Sequence, residues 1–226
     1  LKALTEVFAL AHAVSDDEYA ARKAQVTPHD VVNMQYTSGT TGFPKGVMLT
    51  HVNIAKNGWW IGRHQKLGPD DRICLPVPLF HCFGCVLGVM AFVSHGSAMV
   101  VIDAFSPLTV LSAIQTERCT GVYGVPSMYL SIMGHKHFSR YDIATLRTGI
   151  MAGSVCPPYL MRRAMADMNL HDLPHCCGLT EASPVMAQTR ADDEFEHKAN
   201  TVGRPMPGME VLIADSSQLP ERSVGV

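Results

Sequence analysis

The residues with the clearest chemical potential lie between Tyr36 and Gly46. This stretch holds four Ser or Thr side chains, three glycines and one lysine. Glycines let backbone N–H groups turn toward one point, and such a nest binds anions, while hydroxyls and a lysine add donors and positive charge. The composition therefore indicates a polyphosphate-binding loop, with a solvated surface loop as the alternative. The candidate ligand contacts are Thr37, Ser38, Gly39, Thr40, Thr41, Gly42 and Lys45.

This loop differs from two other phosphate-binding loops. In a Walker P-loop the lysine is followed by Ser or Thr at the start of a helix. Here Lys45 is followed by Gly46 and the apolar run Val47-Met48-Leu49. No G-x-G-x-x-G sequence opens a helix at this point either. Since another apolar run, residues 31–34, precedes the loop, the pattern predicts strand, turn and strand.

A second candidate group is the pair Thr180 and Glu181. A carboxylate beside a hydroxyl, close to a polyphosphate, can hold Mg²⁺, because that ion takes one or two carboxylates and completes its shell with phosphate oxygens. Alone, a Thr-Glu pair indicates only a solvated glutamate. Its interpretation as a metal site depends on the phosphate loop lying nearby.

The segment from His81 to Cys85 has three interpretations. Cys82 and Cys85 form a C-x-x-C pattern, which is found in redox and zinc sites. No second ligand pair with zinc spacing occurs elsewhere, and the apolar surroundings favour two small buried cysteines. His81 is either a core histidine or a functional one, and both interpretations stay open.

The elements that must position these groups alternate between strands and helices. Apolar runs predict strands at 31–36, 72–78, 98–102, 121–124, 146–151 and 173–176. Helical patterns and caps predict helices at 51–65, 82–93, 106–118, 126–133 and 158–168. This order predicts an α/β fold with a mostly parallel sheet covered by helices on both faces.

The same pattern predicts where the chemistry lies and how the chain divides. The phosphate loop, His81, Gly153-Ser154 and Thr180-Glu181 each follow a predicted strand, and the carboxyl ends of parallel strands share one edge. We therefore expect these groups to converge. Short strands such as 210–214 predict an incomplete β subdomain, so that the predicted units are 1–50, 51–185 and 186–226.

Composition excludes several classes of protein. At 226 residues, with 47% hydrophobic and 17% charged residues, the chain is typical of a globular protein. A net charge of −2 argues against nucleic-acid binding. The longest apolar run, residues 85–93, is too short to span a bilayer. Seven irregularly spaced cysteines favour a reducing compartment, and hence a cytoplasmic location.

Taken together, the motifs resemble those of the adenylate-forming (AMP-binding) superfamily, which includes acyl-CoA synthetases. The stretch from Tyr36 to Gly46 resembles its phosphate-loop signature, and residues 177–181 resemble its Tyr-Gly-x-Thr-Glu segment. Residues 151–157 resemble the glycine-rich adenine-site turn, 202–208 the Gly-Arg-Pro segment, and 79–84 a segment whose histidine lies near the acyl carboxylate. The resemblance extends from about Val31 to Ala214.

The resemblance implies an ATP-dependent acid–CoA ligase. A carboxylic acid, here expected to be fatty, would react with ATP to give an acyl-adenylate, and CoA would then displace AMP. The implied catalytic residues are Lys45, His81, Thr180 and Glu181, with Mg²⁺ on Glu181. The implied adenine and AMP contacts are Gly153, Ser154, Cys177, Gly178 and Thr180. Cys177 departs from the family pattern, which has an aromatic residue there.

The resemblance also implies that the chain is the central part of a larger domain. It begins at Leu1, in what is predicted to be a helix, and stops before the family's ribose-binding acid, hinge and small C-terminal domain. We therefore expect the 226 residues alone to be inactive and to expose apolar surface that favours self-association. The alternatives are a catalytically incompetent nucleotide-binding remnant and a thiol-redox protein that uses Cys82 and Cys85.

Overall fold

A computed structural model describes residues 3–38 and 43–213 of the protein. The strands are β1 (Val31–Thr37), β2 (Lys45–Thr50), β3 (Arg72–Leu75), β4 (Ala98–Val101), β5 (Gly121–Gly124), β6 (Thr148–Met151), β7 (Cys176–Gly178), β8 (Val185–Gln188) and β9 (Arg204–Pro205). The helices are α1 (Leu4–Leu10), α2 (Asp16–Ala24), α3 (His51–His64), α4 (Ala91–His95), α5 (Pro107–Glu117), α6 (Pro126–Met133), α7 (Pro158–Asp167) and α8 (Phe195–Asn200). A π-helical segment, Phe83–Met90, leads directly into α4.

The central sheet is parallel, as predicted. Its strands lie in the order β4-β3-β5-β6, and every neighbouring pair is parallel. Two antiparallel units accompany it, the hairpin β1-β2 and the sheet β7-β8-β9. The predicted α/β fold class is confirmed, whereas the predicted unit boundaries at residues 50 and 185 stay predictions.

Helices cover both faces of the parallel sheet because side chains alternate along each strand. Cys74 points toward the face packed by α5, α6 and α7. Ile73 and Leu75, its neighbours in β3, point toward α3, the π-helical segment and α4. The two resulting apolar layers fix the positions of the strand ends.

The starts of three parallel strands are tied together by the buried carboxylate of Asp71. Its Oδ2 accepts hydrogen bonds from the Arg147 guanidinium (2.6 Å) and the Gly68 N–H (2.9 Å). Its Oδ1 accepts from the Thr120 hydroxyl (2.7 Å) and from Arg147 Nε (3.2 Å). Because these residues precede or begin β3, β5 and β6, the network holds the strands together at the edge opposite their carboxyl ends.

Three predicted elements differ from the structure. The prediction of a strand at 210–214 is wrong over its described part, since residues 210–213 form no strand and Leu212 and Ile213 are 86% and 95% exposed. The predicted last strand at 173–176 makes only isolated parallel bridges to β6, at Asp172 and His175, and the chain then pairs as β7 with β8. The predicted buried helix at 82–93 is buried but begins as a π-helix.

Two predicted helices begin at capping residues, whereas α8 lies in a region predicted to be loop and short strands. Thr50 caps α3 by accepting a hydrogen bond from the Asn53 N–H, and Ser106 caps α5 in the same way through Thr109. Helix α2 has no buried residue and therefore lies on the surface. Within the described parts of the chain, no helix is long and apolar enough to cross a membrane.

Candidate functional site

The predicted phosphate loop is the connection of the β1-β2 hairpin. In the antiparallel register Tyr36 lies opposite Gly46, and Thr37 lies opposite Lys45. The strand–turn–strand prediction is therefore confirmed. Thr37, Ser38 and Lys45 lie at the loop end of the hairpin, and Lys45 and Ser38 are exposed. The predicted contacts Gly39, Thr40, Thr41 and Gly42 lie outside the described residues.

The hairpin is anchored by one face of β2. Leu49 is 1% exposed and packs with Val47 against Ile54 of α3 and against Cys82 and Val86. Residues of β2 have Cα atoms within 8 Å of those in the short 3₁₀ turn of residues 180–182. This packing places β2, the strand that begins with Lys45, beside the turn that carries the Thr-Glu pair.

The Thr180–Ala182 turn is built between β7 and β8. Ser183 has a φ of +79°, which turns the chain back, and the Leu179 N–H donates to the Pro184 carbonyl (2.9 Å). Thr180 Oγ1 lies 3.7 Å from the Cys82 thiol, which connects the turn to the start of the π-helical segment. Glu181 is exposed, and no hydrogen-bond or ion-pair partner for its carboxylate occurs within 3–38 and 43–213.

These residues fit a magnesium ion only if a ligand supplies further oxygens. Within the described residues no three His, Cys, Asp or Glu side chains gather as a preformed metal site. Mg²⁺ is commonly held by one or two carboxylates together with substrate phosphates. The exposed carboxylate of Glu181 meets that requirement when a polyphosphate lies on the neighbouring hairpin.

His81 is exposed, so the interpretation of it as a core histidine is wrong. Its Nδ1 accepts a hydrogen bond from the Phe83 N–H (3.0 Å), which fixes the ring at the start of the π-helical segment. With Nδ1 acting as acceptor, the neutral ring carries its hydrogen on Nε2. His81, Thr180 and Gly153 line one cavity of about 190 Å³.

The sequence profile of the AMP-binding enzyme family matches residues 3–226. The chain belongs to that family.

Individual relatives of the family agree with this assignment. The chain is 48% identical, over 96% of its length, to a protein named putative acyl-CoA synthetase YngI from Bacillus subtilis. It is 42% identical, over 83% of its length, to the mitochondrial medium-chain acyl-CoA ligase ACSF2 of Bos taurus. It covers only 40% and 31% of these two proteins, so it spans well under half of the length of the relatives it matches.

Solved structures in the family share the fold. The crystal structure of the anthranilate CoA ligase AuaEII in complex with anthranoyl-AMP superimposes with a TM-score of 0.76 at 25% identity. The match covers 85% of this chain and 37% of that protein. The parallel sheet and its flanking helices are therefore those of an AMP-binding enzyme.

The family's predicted adenine turn borders a second cleft, of about 480 Å³. Gly153, with a φ of +88°, and Ser154 form one side, and Cys177 and Gly178 form another. Cys177 is half-buried, so a thiol lies in the cleft at the position where the family pattern has an aromatic ring. The assignment of adenine to this cleft stays a prediction.

Sequence reasoning missed part of this cleft. His175 lines it and is held by a contact between its Nδ1 and the Met151 carbonyl (3.1 Å). Residues 199–202, at the end of α8, form a further side. Apart from Val202, the first residue of the Gly-Arg-Pro segment, these residues belong to no motif. Their proximity to the Gly-Arg-Pro segment was the only available signal.

The structure contradicts the thiol-redox alternative. Burial raises the pKa of both Cys82 and Cys85, and Cys82 is buried beneath the turn of residues 180–182. A redox-active cysteine needs the opposite, an accessible thiol with a lowered pKa. The two cysteines instead pack in the cluster that anchors the hairpin.

Proposed function

We propose that the protein carries the nucleotide- and acid-binding part of an ATP-dependent acid–CoA ligase. A carboxylate oxygen of the acid attacks the α-phosphorus of ATP, which gives an acyl-adenylate and releases pyrophosphate. The sulfur of CoA then attacks the acyl carbon, and AMP leaves as the thioester forms. The observation that carries the proposal is the packing of the Lys45 strand beside the Thr180-Glu181 turn, at a cavity lined by His81.

The chain's own groups contribute position and charge to the first step. Lys45 and the hairpin N–H groups hold the leaving pyrophosphate, and the Thr180 hydroxyl lies at the α-phosphate. Glu181 would hold Mg²⁺, and the ion would supply positive charge beside the phosphates. His81, fixed through its Nδ1, directs Nε2–H toward the acid carboxylate.

The cleft beside Gly153 is the proposed adenine site. Stacking of a base on an aromatic ring contributes about 1–3 kcal/mol of binding free energy. Cys177 cannot make this contribution because its side chain has no ring. Cys177→Tyr should therefore tighten ATP binding at least fivefold, and Cys177→Ser serves as the matched control. An equal response of the two variants would place the adenine elsewhere.

Three finer points belong to the same proposal. The acid is aliphatic, and in the broad sense fatty, which the apolar lining of the cavity near His81 supports. The location is cytoplasmic, supported by seven cysteines that are all free.

Self-association would use the outer face of the hairpin, where Val31, Met34 and Met48 are exposed. Light scattering tests this part of the proposal.

Exchange of labelled pyrophosphate into ATP, measured with the full-length enzyme, tests the proposal. We expect exchange that depends on an added carboxylic acid and on Mg²⁺. Glu181→Gln should lose most of the Mg²⁺ dependence, while Glu18→Gln, a change of an exposed carboxylate on α2, should keep it. Exchange with no acid of a broad panel, or an unaltered Mg²⁺ response of Glu181→Gln, would contradict the proposal.

A further inference from the structure

The cavity beside His81 is small and mostly apolar. His81 and Thr180 lie at its polar end, and the buried side chains of Phe83, Leu87 and Val185 line the rest. Its volume of about 190 Å³ is below the roughly 300–1,000 Å³ of sites for drug-sized ligands. At about 30 Å³ per water-sized unit, it has room for about six non-hydrogen atoms.

The lining carries no fixed charge. Among the described residues that border the cavity, none is Asp, Glu, Lys or Arg. An ammonium group or a second carboxylate at the far end of a ligand would lose its hydration without gaining a partner, which is strongly unfavourable. The part of the ligand beyond its carboxylate is therefore uncharged.

The space behind Phe83 is already filled. The ring centroid of Phe83 lies 5.9 Å from that of Tyr123, which in turn lies 5.2 Å from that of Phe92. Tyr123 is fully buried, and its hydroxyl accepts a hydrogen bond from Gln65 Nε2 (2.6 Å). Because Tyr123 is fixed by both packing and a hydrogen bond, the cavity cannot deepen by a simple side-chain rotation.

The π-helical segment that carries Phe83 and Leu87 is also fixed. A Cβ at Gly84 would lie 2.3 Å from the Pro78 carbonyl oxygen, and one at Gly88 would lie 2.8 Å from a methyl group of Leu75. The two glycines thus allow the segment to pack directly against β3 and the residues that follow it. Widening the cavity would require this packed helix to move as a whole.

We infer that the cavity selects short aliphatic monocarboxylic acids of about four carbons and excludes long-chain, dicarboxylic and amino acids. The inference rests on the proposed function, because it assigns the acid carboxylate to the end of the cavity with His81 and Thr180. Leu87 then limits the chain length, since it lines the wall without taking part in the aromatic cluster behind Phe83.

Two measurements on the full chain test this inference. Saturation-transfer NMR reports binding of the acids themselves, and pyrophosphate exchange reports their activation. The probes are butanoate, hexanoate, decanoate, malonate and β-alanine. We expect butanoate to bind and react at least tenfold better than decanoate, malonate and β-alanine, with hexanoate intermediate.

Leu87→Ala removes about three carbons from the wall and should improve hexanoate relative to butanoate at least tenfold. Leu111→Ala is the matched control, because Leu111 is equally buried but packs on the other face of the sheet. The inference would be overturned if the wild type used decanoate and butanoate equally, or if it bound none of the acids. It would also be overturned if both variants showed the same change. Binding in the expected order without exchange would instead refute the proposed function and support the inference.

Discussion

The parallel sheet and the β1-β2 hairpin are built on different principles. Every residue of β5 and β6 is buried between two layers of helices. Within the described strands β1 and β2, Gln35 and Leu49 alone are buried, and the other positions are exposed or half-buried. Yet the hairpin carries Lys45 and the predicted phosphate contacts, while the sheet carries none of them.

This difference indicates a division of labour between stability and binding. Binding of a phosphate at the loop end of a hairpin requires exposed hydrogen-bond donors and charges. Such exposed groups contribute little to the free energy of folding. The sheet supplies the free energy that holds the strand ends in place, and the hairpin is attached to it through a single small apolar cluster around Leu49. Mutations in the two regions should therefore separate folding from binding.

The largest effect is expected from Asp71→Ala. The Asp71 side chain is 7% exposed and accepts four hydrogen bonds, so its removal leaves Arg147 and Thr120 without their partner. Breaking a buried pair of this kind costs about 3–5 kcal/mol. Chemical denaturation should show that loss of unfolding free energy.

The exposed ion pair between Arg72 and Glu117 provides the control for this variant. Glu117→Ala should cost no more than about 1 kcal/mol, because exposed pairs contribute little. Comparable losses from Asp71→Ala and Glu117→Ala would mean that the carboxylate network does not hold the strands together.

The second prediction concerns the attachment of the hairpin. Leu49→Ala should cost about 2–4 kcal/mol of local stability, and hydrogen exchange should speed up in β1 and β2 but not in β5 or β6. Met48 is the next residue and is 63% exposed, so Met48→Ala should leave exchange nearly unchanged. Uniform acceleration across the molecule would contradict independent attachment of the hairpin.

Sequence patterns predicted the parallel part of the fold well because its strands are short, continuous apolar runs between capped helices. β5 and α6 have the predicted bounds. The same reasoning failed at residues 210–213, where an apolar run has no pairing partner among the described residues. It also could not detect the π-helix, because the segment Phe83–Met90 is apolar on nearly all sides and gives no helical periodicity.

The candidate site was predictable where a motif exists and not elsewhere. His81 follows the parallel strand β3, whereas Lys45 and Thr180 adjoin the antiparallel strands β2 and β7, contrary to the expectation of one parallel edge. His81 and Thr180 line one cavity, and β2 packs beside the turn of residues 180–182. The wall formed by residues 199–202 comes from a distant part of the chain and follows only from tertiary packing. Likewise, the cavity volume depends on how closely Gly84 and Gly88 approach β3, which no local pattern encodes.

The third prediction is a loss of binding without a loss of stability. A charge-assisted contact between Lys45 and a phosphate contributes about 1.5–3 kcal/mol, so Lys45→Ala should weaken Mg-ATP binding roughly tenfold to a hundredfold. Its melting temperature should barely change, since Lys45 is exposed. Lys136→Ala, at another exposed lysine, should alter neither quantity, and unchanged nucleotide affinity of Lys45→Ala would refute the phosphate-loop assignment.

The smallest effect is expected from His64, at the end of α3 in the core region. Burial lowers its pKa from the ordinary value of 6.5, and the charges of Arg190 and Arg63 act in the same direction. The hydrogen bond between Nδ1 and the Gln188 amide oxygen (3.2 Å) and the charge of Asp193 oppose this shift only in part. The folded protein therefore favours the neutral ring.

Because the unfolded chain binds this proton more readily than the folded one, His64 destabilises the fold as the medium becomes acidic. The stability associated with the neutral ring of His64 is fully present above pH 6.5. It is lost as the pH falls from 6.5 toward the lowered pKa of His64 in the folded state. Urea denaturation between pH 7.5 and 5 should thus show a smaller acid-induced loss of unfolding free energy for His64→Gln than for the wild type. His12→Gln, a change at an exposed position, should follow the wild-type curve. If His64→Gln also followed the wild-type curve, the loss of stability in acid would have to arise from other groups. The protonation of His64 in the core would then not explain that loss.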